Sequence, residues 1–313
     1  MIQISYQDTY FSFMGFWQEN NQGELVSYKR IAMAAITFEG TQLCVHAHLE
    51  GSAQWFVDDV PMEPEVAENG FRFSLQKGKH RLKAVVVSPD RMYLRSAETD
   101  GTFLAEEAKP YVHFIGDSIT HAYPGFASAA GEALGVDYSV VAHCGMSLVD
   151  GWGWYPLIDG LRERVGMESN YFHLETPDVS VVFTPHDFTY DKKPDILVIY
   201  LGVNDYLTEG PIFKEENPEI FAQRYMVFVR RLREKYPEVP IVMVQCHLPD
   251  RTIRIDAIVN AYERICREID KVYLTDTQLW NVAVCSDKVH PSPEGYEEMA
   301  ERISDFLNKL IER

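Results

Sequence analysis

The sequence contains no uninterrupted run of eighteen apolar residues, so it offers no helical membrane span. Its five cysteines, Cys44, Cys144, Cys246, Cys266 and Cys285, are odd in number, widely spaced and never arranged as CxxC. That pattern supports neither a zinc ribbon nor a disulfide framework; buried free thiols in a reducing compartment are the expectation. Positive charge is also short. Against 47 Asp+Glu there are 29 Lys+Arg, leaving a net charge of −18. Such a balance disfavours nucleic acid and anionic membranes as partners, suits a neutral substrate, and by itself also serves solubility. Residues 1–8 have neither the basic start nor the apolar stretch of a secretory signal, so a cytoplasmic location is expected. Internal repeats and low-complexity segments are missing too.

What the chain does have is enough apolar material for sizeable cores, 46% of 313 residues. At about 150 residues per domain, that length predicts two domains. Residues 1–106 read as the first. Strand-like runs at 30–38, 42–48, 53–57, 71–75 and 80–87 are separated by Glu39-Gly40, Glu50-Gly51, Asp58-Asp59, Asn69-Gly70 and Lys77-Gly78. Turns at roughly 8–12-residue spacing, with no helical period between them, predict an all-β sandwich or jelly roll. Ala105-Glu-Glu-Ala-Lys-Pro110 reads as a polar linker.

Residues 107–313 read as the second domain, in which strands and helices alternate. Strands are predicted at Val112–Ile115, Tyr138–Ala142, Ile196–Leu201, Ile241–Cys246 and Val272–Thr275. All are apolar and β-branched-rich, as parallel strands covered on both faces are. Ile220, Phe221, Tyr225, Phe228, Val229 and Leu232 keep a 3.6-residue period, as do Ile255, Ile258, Val259, Tyr262, Ile265, Cys266 and Ile269. Ser292 reads as an N-cap and Pro293 as the first residue of a helix continued by Tyr296, Met299, Ala300, Ile303, Leu307 and Leu310. The stretch 146–194 is too long for a simple connection and carries Trp152, Trp154, Tyr155, Tyr171, Phe172, Phe183, Phe188 and Tyr190. Long segments of this kind are usually functional. Its aromatics could stack on sugar faces or pack a local subcore; Trp152 and Trp154 are the candidates for substrate contact.

Two predicted strands run straight into glycine turns, Gly116-Asp117-Ser118 and Gly202-Val203-Asn204-Asp205. In open α/β sheets ligands bind beyond the carboxyl ends of the strands. Ser118 at such an edge is either a turn residue or a nucleophile. A serine nucleophile needs a base, and the base needs an orienting group. Asp287 and His290, three apart, can meet through one ring nitrogen and leave the other to face Ser118. Asn204 offers a side-chain N–H₂ where an oxyanion would form. Asp117 is expected to hold the serine turn, and Asp205 the Asn204 loop. His186-Asp187 and Cys246-His247 lack the partners of a catalytic or metal site and read as structural.

Four blocks in order, Gly116-Asp-Ser-Ile-Thr120, Gly145 within His143–Ser147, Gly202-Val-Asn-Asp205 and Asp287-Lys-Val-His290, resemble those of the SGNH hydrolases, the GDSL-like lipases and esterases. The resemblance implies a flavodoxin-like three-layer α/β/α domain with a parallel sheet. It implies Ser118 as nucleophile, His290 as base and Asp287 as its acid. The oxyanion donors would be the Ser118 and Gly145 backbone N–H groups and the Asn204 side chain. No metal or other cofactor is implied. This chain carries His121-Ala122 where many members have a glycine soon after the serine block. A sandwich ahead of such a domain is similar to the carbohydrate esterase family two acetyl esterases, which implies O-deacetylation of sugars such as acetylated hemicellulose oligosaccharides. Some members of that branch lack the acidic residue; Asp287 is present here. The expected partner is thus a small-molecule or oligosaccharide ester, with the oligomeric state undetermined. A short-chain lipid esterase or thioesterase on the same fold is the main alternative, and a carbohydrate-binding protein with a relic hydrolase half is another.

Overall fold

A computed structural model describes residues 1–106, 109–154, 164–174, 184–207, 217–247, 256–275, 277, 280 and 282–312. The chain forms two compact units. The first contains Met1–Lys109 together with His186–Lys192, and the second contains Pro110–Pro185 and Lys193–Arg313. The return of 186–192 to the first unit has no signal in the sequence, which reads as one unbroken second domain from 107 onward.

The first unit is an antiparallel β-sandwich of β1 (Ile2–Ser5), β2 (Phe11–Glu19), β3 (Leu25–Glu50), β4 (Gln54–Val57), β5 (Val60–Pro61), β6 (Glu65–Ala67), β7 (Gly70–Val87), β8 (Arg91–Thr99) and β9 (Thr102–Leu104). Turns form where expected at Asp58-Asp59, both with positive φ, and ahead of Gly70. Glu39-Gly40 and Lys77-Gly78 do not turn. They lie opposite each other inside the long strands β3 and β7, where the register shifts between Gly40 and Gln42. A bulge bends a strand without ending it, so one strand serves two parts of a sandwich. Asp100 accepts the Thr41 and Gln42 N–H groups at 2.8 and 2.9 Å, which satisfies backbone donors beside the irregularity. Alternation does the rest: Met92 and Leu94 point into the core with Trp17, Phe38, Leu43, Trp55 and Phe73, while Tyr93 and Arg95 point outward.

The second unit is built on five parallel strands, β10 (Tyr111–Gly116), β11 (Asp137–Ala142), β12 (Ile196–Tyr200), β13 (Ile241–Val244) and β14 (Val272–Thr275). Their order is β14-β13-β12-β10-β11. Counted from β10 that is the 2-1-3-4-5 order of a flavodoxin-like sheet, with its switch point between β10 and β12. Every residue of β10, β11, β12 and β13 is buried, which explains their continuous apolar character. The helices are α1 (Ser118–His121), α2 (Phe126–Leu134), α3 (Met167–Asn170), α4 (Val203–Leu207), α5 (Asn217–Lys235), α6 (Asp256–Glu268) and α7 (Pro293–Ile311). Helix α5 buries Phe221, Tyr225, Phe228, Val229 and Leu232, whereas Ile220 from the same period is 39% exposed. Ser292 caps α7 by accepting the Gly295 N–H, and Pro293 opens the helix. No helix among the described residues is long and apolar enough to cross a membrane.

Candidate active site

Gly116 pairs with Ala142 of β11 and with Tyr200 of β12, so the loops that follow all three strands leave one edge at one level. Gly116 has no room for a side chain. A Cβ there would lie 2.0 Å from Thr120 Oγ1 and 2.9 Å from the Tyr200 carbonyl. The chain then turns into α1. Asp117 is its N-cap, accepting the Ile119 N–H through Oδ1 at 3.0 Å, and Ser118 is the first helical residue, half-buried at the sheet edge.

His290 reaches this serine from the far end of the sequence. Ser118 Oγ lies 2.8 Å from His290 Nε2, and His290 Nδ1 lies 2.6 Å from Asp287 Oδ2. Asp287 Oδ1 also accepts the Val289 and His290 N–H groups at 2.9 and 3.0 Å. These donors, Val289 N–H first, hold the carboxyl down at about 2. An ionised carboxylate only accepts, so His290 carries its proton on Nδ1 and presents a bare Nε2 to the serine hydroxyl. The loop is closed by Cys285 N–H to the His290 carbonyl at 2.8 Å and by Ser292 N–H to the Ala283 carbonyl at 2.9 Å. Sequence spacing brought Asp287 and His290 together; only the fold brings both to Ser118.

The other two blocks meet each other. Gly145, at φ 75°, sits in the turn after β11, a backbone region that favours glycine. Asn204, in the first turn of α4, donates through Nδ2 to the Met146 carbonyl at 3.0 Å. Beside it, Asp205 accepts the Leu148 and Val149 N–H groups at 2.8 and 3.1 Å. Asn204 and Asp205 therefore fix the 145–149 turn to the end of β12.

Beneath the site lie two fully buried carboxyls. Burial pushes Asp117 up to about 8; the Ile119 N–H opposes the rise and Asp205 adds to it. Burial pushes Asp205 up to about 7 against the pull of the Leu148 and Val149 N–H groups. Asp117 Oδ2 has no hydrogen-bond partner. Of the pair, Asp205 with two backbone donors is the better placed to carry a charge.

The aromatics of the long segment have several fates. Trp154 donates its backbone N–H to the Gly145 carbonyl at 2.7 Å, the residue is 44% exposed, and the Arg164 guanidinium lies 5.4 Å from the ring centre. Trp152 is half-buried and donates its N–H to Val149. Tyr171 is fully buried, and Phe172 packs on Phe228 under Arg231. Phe188 and Tyr190 belong to the first unit, and Tyr155 and Phe183 lie outside the described residues. His186 pairs with Asp191 at 2.6 Å in the first unit rather than with Asp187. The Cys246-His247 pair splits: Cys246 Sγ contacts Tyr262 Oη at 3.3 Å, while His247 lies between Tyr200 and Val289. In the sequence His247 carries no signal beyond its place after a buried strand at the same sheet edge. No cluster of three metal-ligating side chains occurs among the described residues.

The whole chain is similar to solved two-domain esterases. A family two carbohydrate esterase from Cellvibrio japonicus superposes with a TM-score of 0.71 at 16% identity over 99% of this chain and 98% of that one. A carbohydrate esterase family 2 enzyme with a carbohydrate binding domain from Corynascus gives 0.70 at 20% identity over 97% and 100%. An acetyl xylan esterase from Butyrivibrio proteoclasticus gives 0.67 at 17% identity over 99% and 98%. At such identities the likeness is one of fold. No curated protein matches the sequence. The family model for GDSL-like Lipase/Acylhydrolase matches residues 114–298, from the strand that presents Ser118 to the helix behind His290. That match spans more than half of the chain, which belongs to the GDSL-like lipase/acylhydrolase family of hydrolases.

Proposed function

We propose that the protein is a serine esterase that removes O-acetyl groups from carbohydrates, such as acetylated hemicellulose oligosaccharides. The observation that carries this reading is the chain of contacts Ser118 Oγ–His290 Nε2–Asp287 at 2.8 and 2.6 Å. In the proposed mechanism Ser118 attacks the ester carbonyl as its proton passes to His290 Nε2. Asp287 stabilises the imidazolium that forms. The Ser118 and Gly145 N–H groups and the Asn204 side-chain amide receive the oxyanion. His290 then protonates the leaving sugar hydroxyl. Water, deprotonated by the same nitrogen, releases acetate from the acyl-serine and restores the resting state.

The sugar leaving group is supported by exposed Trp154, whose backbone is bonded to Gly145 of the oxyanion turn, and by the activities of the structurally similar esterases. An indole can cover the apolar face of a pyranose while its hydroxyls stay paired with polar groups or water. The test is mass analysis of a panel of acetylated xylo-oligosaccharides and of acetyl, butyryl and octanoyl 4-nitrophenyl esters. Loss of acetyl mass units from the sugars, with acetyl esters turned over fastest, supports the reading. Faster turnover of octanoyl esters overturns the sugar reading in favour of a lipid esterase. Inactivity on all of them overturns the esterase.

A further inference from the structure

One buried histidine stands between two parts of this site. His247, in the segment after β13, is 7% exposed. Its Nε2 lies 3.2 Å from the Val289 carbonyl and its Nδ1 lies 2.8 Å from Tyr200 Oη. A carbonyl only accepts, so Nε2 must carry the proton. Nδ1 is then bare and accepts from the Tyr200 hydroxyl. The chain of donation runs one way, from Tyr200 through His247 to Val289. Burial, with a smaller contribution from nearby His290, pushes the imidazole down to about 4, so it stays neutral at working pH and keeps this single tautomer.

The two ends of that chain matter. Tyr200 is the last residue of β12, the strand that leads through Gly202 to Asn204. Val289 lies between Asp287 and His290, in a loop where Lys288 adopts φ 60°. A left-handed lysine is unfavourable in isolation and persists only where its surroundings hold it. Asp287 holds the loop from one side by accepting the Val289 N–H. His247 holds it from the other by donating to the Val289 carbonyl. Both backbone groups of Val289 are thereby fixed, and with them the angle at which His290 meets Ser118.

We infer that His247 is a positioning residue: through Tyr200 on one side and the Val289 carbonyl on the other, it ties the loop carrying Asp287 and His290 to the strand that presents Asn204. The inference rests on the proposed reading of Ser118, His290 and Asp287. A general base displaced by an ångström costs turnover more than binding. The effect should therefore fall on kcat.

The experiment compares His247→Phe, His247→Gln, Tyr200→Phe and Ser118→Ala with the wild-type enzyme on 4-nitrophenyl acetate, after circular dichroism has established folding. His247→Phe is expected to lower kcat ~10–100-fold with KM little changed, the cost of a small misplacement. His247→Gln keeps a donor toward Val289 and an acceptor for Tyr200 and should recover most of that loss. The proton between His290 Nδ1 and Asp287, a downfield resonance in the proton NMR spectrum, should broaden in the Phe variant and sharpen again in the Gln variant. Tyr200→Phe should lower kcat as well, and reads the same link should His247→Phe not fold. Wild-type kcat in a folded His247→Phe or Tyr200→Phe enzyme overturns the inference, as does a Gln variant as impaired as the Phe variant. Retained activity in Ser118→Ala instead overturns the triad reading beneath it. That result is distinct, because the inference can fail while Ser118→Ala is inactive.

Discussion

Asn204 and Met146 are joined by one hydrogen bond, amide Nδ2 to carbonyl at 3.0 Å, which holds the turn containing Gly145 against the helix after β12. The same side-chain amide is the proposed oxyanion donor, so Asn204→Ala removes a donor and frees the neighbouring turn. We expect kcat to fall ~10²–10³-fold with little change in KM, as for loss of one oxyanion donor. Steady-state kinetics on 4-nitrophenyl acetate check this; a change confined to KM would place Asn204 in ground-state binding.

Ser118→Ala should reduce kcat by ~10⁴ or more, the scale for a triad nucleophile, while the melting temperature stays near that of the wild type. Ser118 caps nothing with its own side chain; Asp117 does the capping. A variant that turns over at more than ~10% of the wild-type rate would remove Ser118 as nucleophile.

Asp287→Asn should cost ~10⁴ in kcat, because the amide disfavours the tautomer with a bare Nε2. The ionised carboxylate has its pKa lowered to about 2. A depressed carboxyl contributes stability above its unfolded value, ~3.9, and loses it only as pH falls through about 2. No loss of activity between pH 7 and pH 4 should therefore trace to Asp287. A kcat/KM profile in which the Asn variant loses an inflection within that range would contradict this.

Asp117 works in the opposite sense. Its folded pKa is raised to about 8, so the folded protein binds an extra proton between ~4 and that value, and stability falls as pH rises across the window. Asp117→Asn keeps the oxygen that caps Ile119 and cannot ionise. Its melting temperature relative to the wild type should improve steadily from pH 5 to pH 8. Parallel melting curves across that range would show that Asp117 does not titrate there.

Trp154→Ala should weaken kcat/KM on acetylated oligosaccharides by ~1–3 kcal/mol, a pocket-contact scale, and leave 4-nitrophenyl acetate nearly untouched. Equal losses on both substrates would assign the indole to packing around Gly145.

The strands of the second unit were legible because each is a short, buried, β-branched run, and their shared edge follows from the parallel order. The Ser292-Pro293 start of α7 was legible because capping is local. Three features were not. Gly40 and Gly78 read as turns but face each other across a bend, which only the pairing of two distant strands reveals. Helix α2 is spelled in Ala, Ser and Gly and has little apolar period; its end shows in Gly135 at φ 64°. His247 looks like half of an unpartnered pair until Tyr200 and Val289, far away in sequence, close around it. Local chemistry is written in neighbouring residues, whereas orientation is written in contacts across the fold.

The segment His186–Lys192 has a consequence for how the protein is made. His186 stacks on Phe16 with centroids 4.3 Å apart, Asp191 accepts the Trp17 N–H at 3.0 Å, and Lys192 donates its N–H to Phe13 at 2.7 Å. Domains commonly fold in order as they emerge from the ribosome. Here the amino-terminal unit is spelled out early yet stays incomplete until residue 192 has been synthesised, by which time two strands of the second unit, β10 and β11, are already translated. Birth order and completion order differ, and a nascent chain halted before residue 186 would leave the flank of β2 around Phe16 and Trp17 without its cover.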